Sequence, residues 1–271
     1  MPSSSPNVSR ASSSSRQQKI TETIRERGET RVADLAAELG VSEMTIRRDL
    51  DYLDRRGLVV RIHGGAMIRR DRATNEPDFG TKRQRQLSEK GAIAVAASNH
   101  VPSEAAIGIT GGTTTFEVAH HLDHVSDVTV VTNSLAILEL LDSLHRPDIS
   151  VVLTGGSPTR SNALVGPVAV NTLRTFNLDL VIMGIHGMDE LRGFTSPNLL
   201  EAETNRAFIE AAERLIVVAD HSKWGTSGLT TIAPLDAADL LITDAGLEPE
   251  AASILHDHLP EVTIVTPTHA L

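Results

Sequence analysis

From Ala105 onward, short apolar runs alternate with helix-like stretches, and this alternation limits the fold more than any other feature of the chain. The runs are Ile107-Gly108-Ile109, Val128–Val131, Ser150–Leu153, Leu178–Met183, Leu215–Ala219, Leu240–Thr243 and Val262–Val265. Amphipathic helices are predicted at Thr114–Leu122, Leu135–Leu144, Val168–Phe176, Glu201–Ala212 and Pro249–His258. Strands separated by helices imply right-handed crossovers, which build an α/β domain with a mostly parallel sheet covered on both faces.

Ligands of such sheets bind beyond the carboxyl ends of the strands, so the loops there carry the functional expectation. Thr110-Gly111-Gly112-Thr113-Thr114-Thr115 lies between a strand end and a helix start. Its glycines let an anion approach the backbone, the first helical N–H groups point at it, and the threonine hydroxyls add donors. Taken alone, the motif reads better as an ordinary turn with a threonine N-cap. Other strand ends repeat its character: Thr132-Asn133-Ser134, then Leu153-Thr154-Gly155-Gly156 with Arg160 shortly beyond, then Gly184-Ile185-His186-Gly187. Their convergence on one edge favours a site for a phosphate or carboxylate.

The N-terminal part follows a different rule. In Val41–Ala66, Ile46, Leu50 and Leu53 recur at i, i+4 and i+7 and share one buried helical face. Thr45, Arg47 and Arg48 therefore point outward, and Ser42 stands where an N-cap belongs. Upstream, Ile20 and Ile24 mark a first helix in Arg16–Glu26; Leu35, Ala36 and Leu39 mark a second in Val32–Leu39, which Gly40 ends. This is a helix-turn-helix layout whose last helix, begun at Ser42, presents Thr and Arg to base edges and phosphates. Leu58–Ile62 reads as a strand and His63-Gly64-Gly65 as a tight turn, together a wing offering Arg61 and His63 to the DNA backbone or minor groove. An isolated Arg-Arg pair would fit a solvated face better; the surrounding context argues for DNA.

The net charge of −10 opposes a nucleic-acid partner only until the chain is divided. Residues 1–90 hold 18 Lys and Arg against 13 Asp and Glu, a surplus of five, whereas residues 91–271 hold 7 against 22, a deficit of fifteen. A basic head on an acidic body places DNA at one end. The chain has no cysteine, which excludes disulfides and thiolate metal sites. Without a membrane-length apolar stretch or an apolar signal core, a cytoplasmic protein with no membrane partner is expected. Residues 1–15, almost all Ser, Pro and other small residues, read as a disordered tail. Residues 16–70 read as the winged helix-turn-helix domain, 71–90 as a linker and 91–271 as the α/β domain. Within this frame Thr81–Asn99 is expected to be one connecting helix.

TIRRDL followed by LxxxGLxxRxHGGA resembles the N-terminal signature of the DeoR family of bacterial transcriptional regulators. The second half resembles that family's sensor domain through GGTTTFEVA, VVTNS, LTGG, VGP, LDLVIMGIHG, EAETNRAFIEAA and VVADHSKWG. The resemblance implies a Rossmann-like, ribose-5-phosphate-isomerase-like fold that responds to phosphorylated sugars or related metabolites. It places the phosphate at Gly112–Thr115, with Asn133, Gly155, Gly156, Arg160, His186, Gly187 and Glu201 lining the pocket and Lys223 closing one side. Two departures leave effector identity open. The first loop carries Thr110-Gly111-Gly112-Thr113 instead of Asp-Ser-Gly-Thr, and Asn205 replaces the more usual lysine.

Isomerisation of a phosphosugar requires a carboxylate base and a second acid. Where the isomerases carry Asp-Gly-Ala-Asp, this chain has Met183-Gly184-Ile185-His186. Glu201 reads either as a remaining base or as a first-turn carboxylate favoured by the helix dipole. No catalytic residue, metal site or cofactor is therefore expected; His120, His121 and His124 fit a polar surface better than a metal. The chain is expected to be a repressor of sugar-metabolism genes, homo-oligomeric through its acidic domain, that binds a double-stranded operator and is controlled by a phosphorylated sugar. The competing readings are an active sugar-phosphate isomerase with a DNA-binding appendage, and a scaffold without a small-molecule ligand.

Overall fold

A computed structural model describes residues 13–55, 59–62, 64–68 and 78–267. The chain divides into two compact units, residues 1–71 and 72–271. In the first, helices α1 (Ser13–Arg27), α2 (Val32–Leu39) and α3 (Glu43–Arg55) accompany strands β1 (Glu29–Arg31), β2 (Val59–Ile62) and β3 (Gly65–Ile68). Ile20, Ile24, Val32, Leu35, Ile46, Leu50, Leu53 and Val59 make one apolar core. The three strands form an antiparallel sheet in the order β1-β3-β2, so the wing is a hairpin completed by a third strand that the sequence pattern did not indicate. Ser13–Ser15, read from composition as part of a disordered tail, instead belong to α1: a serine run loses little when it continues a helix that buries Ile20 and Ile24.

The second unit opens with α4 (Phe79–Arg83) and α5 (Leu87–Ser98), followed by β4 (Ala106–Ile109), α6 (Thr113–His120), β5 (Val128–Thr132), α7 (Leu135–Ser143) and β6 (Ile149–Leu153). A short ribbon, β7 (Ser157–Pro158) and β8 (Leu164–Val165), leads to α8 (Pro167–Leu173) and β9 (Leu180–Gly184). Then come β10 (Gly187–Asp189), β11 (Gly193–Ser196), α9 (Leu199–Glu210), β12 (Leu215–Val218), β13 (Thr230–Ala233), β14 (Leu240–Asp244), α10 (Pro249–His258) and β15 (Val262–Val265). All seven expected strands form one sheet, in the order β15-β14-β12-β9-β4-β5-β6, and every pair in it is parallel.

Period-2 alternation sorts the two faces. Ile107, Ile109, Leu180, Ile182, Ile216 and Val218 pack with α5, α6 and α7. Val181, Met183, Leu215, Val217 and Leu241 pack with α8, α9 and α10. A small antiparallel sheet, β10-β11-β13, adds Met188, Phe194 and Ile232 to that second core; its strands are too short to have shown a period in the sequence.

One expected element is divided. Instead of a single helix over Thr81–Asn99, α4 and α5 meet at a turn where Gln86 adopts a left-handed conformation (φ 51°, ψ 47°). The turn lets Phe79 stack edge-on against Phe116 of α6 with ring centroids 5.8 Å apart, while Arg83 lies over the same ring. Residues 79–90, expected to form part of a linker, are thus built into the sheet unit, because Phe79 and Lys90 are both buried there.

Candidate nucleic-acid interface and anion site

Gly40 closes α2 in the left-handed region (φ 64°), and α3 begins after a short turn. Ser42 Oγ accepts the Thr45 amide at 3.2 Å and shares a hydrogen bond with the Thr45 hydroxyl at 2.9 Å. With Ile46, Leu50 and Leu53 in the core, Arg47 and Arg48 are exposed. Arg47 also pairs with Glu43 one turn earlier at 3.3 Å, a surface contact of little energetic weight that a phosphate can displace. Arg61 on β2 pairs with Asp51 of α3 at 3.2 Å and donates to the Gly65 carbonyl, so it fastens the wing to α3. His63 lies outside the described residues.

Asp49, in the middle of TIRRDL, is a residue that sequence reasoning missed. It is buried and accepts Arg16 Nε at 2.6 Å and Gln17 Nε2 at 2.9 Å, which locks α3 to α1. A charged residue on the face opposite Arg47 was the available signal.

In the second unit, chain order runs outward in both directions from the junction of β4 and β9, so the sheet reverses there. The two strand ends are joined directly: Thr110 N donates to Ile182 O at 3.1 Å, and Gly184 N donates to Thr110 Oγ1 at 3.2 Å. Gly112 precedes α6 in extended backbone and provides no side-chain cap, leaving the first-turn N–H groups without intrahelical acceptors. Gly111 and Gly112 are partly exposed, whereas Thr113, Thr114 and Thr115 are buried. The Thr115 hydroxyl donates to Gly112 O at 3.0 Å and holds the turn.

The remaining expected residues divide between shaping the loops and facing them. Asn133 Oδ1 accepts Gly111 N at 2.7 Å and its Nδ2 donates to Leu164 O at 3.0 Å, tying the glycine loop to β8. Gly155 and Gly156 have positive φ, and a Cβ at Gly156 would meet Val165 O at 2.5 Å. Gly187 lies on β10 against the Thr226 carbonyl, which a Cβ would meet at 2.0 Å, so its role is close packing. Arg160 is exposed and His186 partly buried. Glu201, at the start of α9, accepts hydrogen bonds from the hydroxyls of Thr159 (2.6 Å) and Ser161. Lys223 is partly buried at the end of a short 3-10 turn, and its amide donates to Asp220 O at 3.0 Å.

Lys90 escaped the sequence reading because a lone lysine on an apolar helix has no signature. It is 3% exposed, and its ammonium donates to the carbonyls of Lys82 (2.6 Å) and Arg85 (2.5 Å). Burial pulls its pKa down to about 8; the nearby Asp220 and Glu117 carboxylates act in the opposite direction, while Lys223 and Lys82 add to the lowering. His221 Nδ1 pairs with buried Asp244 at 2.7 Å, and its Nε2 lies 3.4 Å from the amide nitrogen of Gln86 in the α4–α5 turn. A separate cavity of about 350 Å³, lined by Leu141, His145, Arg146 and Ile149 among others, lies at the opposite, amino-terminal end of β6.

A helix-turn-helix with a wing, followed by a parallel-sheet unit with glycine- and threonine-rich strand ends, is the layout of a DNA-binding regulator with a second domain. Residues 16–72 match the DeoR-like helix-turn-helix domain, and residues 85–245 match the DeoR C terminal sensor domain. The chain belongs to the DeoR family of transcriptional regulators. It is 33% identical to a putative aga operon transcriptional repressor of Escherichia coli O157:H7, covering 93% of this chain and 94% of that protein. It is 36% identical to the HTH-type transcriptional regulator GlpR of Haloferax volcanii (87% and 91%), and 31% identical to the glycerol-3-phosphate regulon repressor of Escherichia coli K12 (88% and 94%). Among solved structures, ribose 5-phosphate isomerase A from Neisseria gonorrhoeae is similar at a TM-score of 0.38 and 21% identity, over 51% of this chain and 53% of that one. Among the described residues, no helix is long and apolar enough to cross a membrane.

Proposed function

We propose that the chain is a cytoplasmic repressor of sugar-related genes, released from its operator by a phosphorylated sugar. Arg47, Arg48 and Thr45 read the operator from α3, with Ser42 setting the helix start and Arg61 and His63 serving from the wing. The phosphoryl group docks at Gly111–Thr115, with Lys223 closing one side, and Asn133, Gly155, Gly156, Arg160, His186, Gly187 and Glu201 surround the rest of the ligand. The uncapped N-terminus of α6 at the β4–β9 reversal carries this reading, since it offers unpaired N–H groups where such sheets bind ligands. The relatives named for the aga operon and for the glycerol-3-phosphate regulon support a sugar-related target.

The isomerase alternative is disfavoured by the residues at the strand end. Met183-Gly184-Ile185-His186 offers no carboxylate, and Glu201 already accepts from two hydroxyls. Selection of bound fragments from genomic DNA, with and without a panel of sugar phosphates, tests the proposal. Loss of selected fragments with one phosphosugar supports it; turnover of ribose 5-phosphate by the purified chain overturns it in favour of the enzyme.

A further inference from the structure

The short helix α4 follows the segment that leads out of the first unit, and it is fastened to the candidate anion site at several points. Phe79 and Arg83 rest on Phe116 of α6, the helix whose N-terminus forms the site. Arg83 Nε also lies 3.8 Å from Glu117. At the other end of α4, the Lys90 ammonium holds the carbonyls of Lys82 and Arg85. The turn between α4 and α5 keeps Gln86 left-handed, a conformation that crowds the Cβ of a non-glycine residue against the backbone. Gln86 in turn faces His221, which Asp244 holds at the end of β14 and which lies two residues from Lys223.

A buried ammonium has three protons and strong directional demands. Two of its acceptors here are carbonyls of the α4–α5 turn, and it also feels the field of Asp220 and Lys223. An anion placed beside Lys223 adds a full negative charge within that field, and charge-assisted bonds to an oxyanion outweigh bonds to neutral carbonyls. We propose that α4 is the output element of the sensor: an anionic effector draws Lys90 away from the Lys82 and Arg85 carbonyls, the strained turn at Gln86 relaxes, and α4 loosens from α6. This rests on the anion-site reading above and adds the element of the second unit whose hold changes when the site is occupied.

Hydrogen–deuterium exchange on the full-length protein tests it, with inorganic phosphate, glycerol 3-phosphate, glucose 6-phosphate and fructose 1-phosphate as probes and thermal shift in parallel. A probe that raises the melting temperature is expected to speed exchange at amides 82–86 about tenfold, the change expected for losing one charged hydrogen bond. Strand 128–132 is expected not to change. In Lys90→Met, the same amides are expected to exchange fast without any probe and to respond to none. The wild-type comparison decides even if that variant does not fold. A probe that stabilises the protein while exchange at 82–86 stays constant or slows overturns the relay and leaves the anion site standing. No stabilisation by any probe removes the anion site itself, and the relay with it.

Discussion

Arg47 and Arg48 are exposed on a helix whose opposite face is wholly buried, so replacing them changes recognition without touching the core. The double variant Arg47→Ala/Arg48→Ala is expected to keep its circular dichroism and melting temperature while losing specific operator protection, since each bidentate base contact discriminates by roughly 1–3 kcal/mol. Asp49→Ala is expected to behave in the opposite way. It strips Arg16 and Gln17 of their buried acceptor and lowers the stability of the N-terminal unit by about 1–3 kcal/mol, measured by urea denaturation. Lys90 provides a pH test. Its pKa in the folded chain, about 8, lies below the ordinary 10.5, so between these values the unfolded chain binds more protons and stability rises with pH. The burial penalty is present in full below pH 8 and is relieved above it. Lys90→Met is expected to lack that rise, and affinity for a phosphorylated probe is expected to fall in the wild type as pH passes 8, followed by calorimetric titration.

At the scale of elements, two neighbouring glycines separate binding from folding. A Cβ at Gly112 meets only the Thr115 hydroxyl closely, at 3.0 Å, and the backbone there is extended, so Gly112→Ala is expected to fold and yet crowd the N-terminus of α6. At Gly111 the added carbon lies 2.9 Å from Ala163 Cβ and disturbs the loop packing itself. Gly112→Ala should therefore lose thermal stabilisation by sugar phosphates at nearly unchanged ligand-free stability, whereas Gly111→Ala should melt earlier with or without ligand. If Gly112→Ala binds phosphosugars as the wild type does, the anion does not sit on α6.

For the whole molecule, the surplus of five positive charges in residues 1–90 against a deficit of fifteen in the remainder makes operator binding depend on a local cationic surface. A regulator neutralising roughly 6–10 phosphates loses about 10³–10⁵ in affinity between 50 and 200 mM salt. A decline of that order is expected in filter-binding titrations, and sedimentation should find at least a dimer on repeated half-sites.

Local periodicity determined the recognition helix, its outward arginines, the Gly40 turn and all seven strands of the parallel sheet. Burial of a helix face or a strand repeats at 3.6 or 2 residues and is therefore written in neighbouring positions. The glycine- and threonine-rich strand ends were legible for the same reason. Only the tertiary structure decided that β4 and β9 meet at the reversal, that Asp49 anchors α3, that the expected connecting helix breaks at Gln86, and that Lys90 is buried next to Asp220. Each of these depends on partners distant in the chain, 33 positions apart for Arg16 and Asp49 and 135 for Gln86 and His221, and no local pattern records which far-off group will satisfy a buried charge.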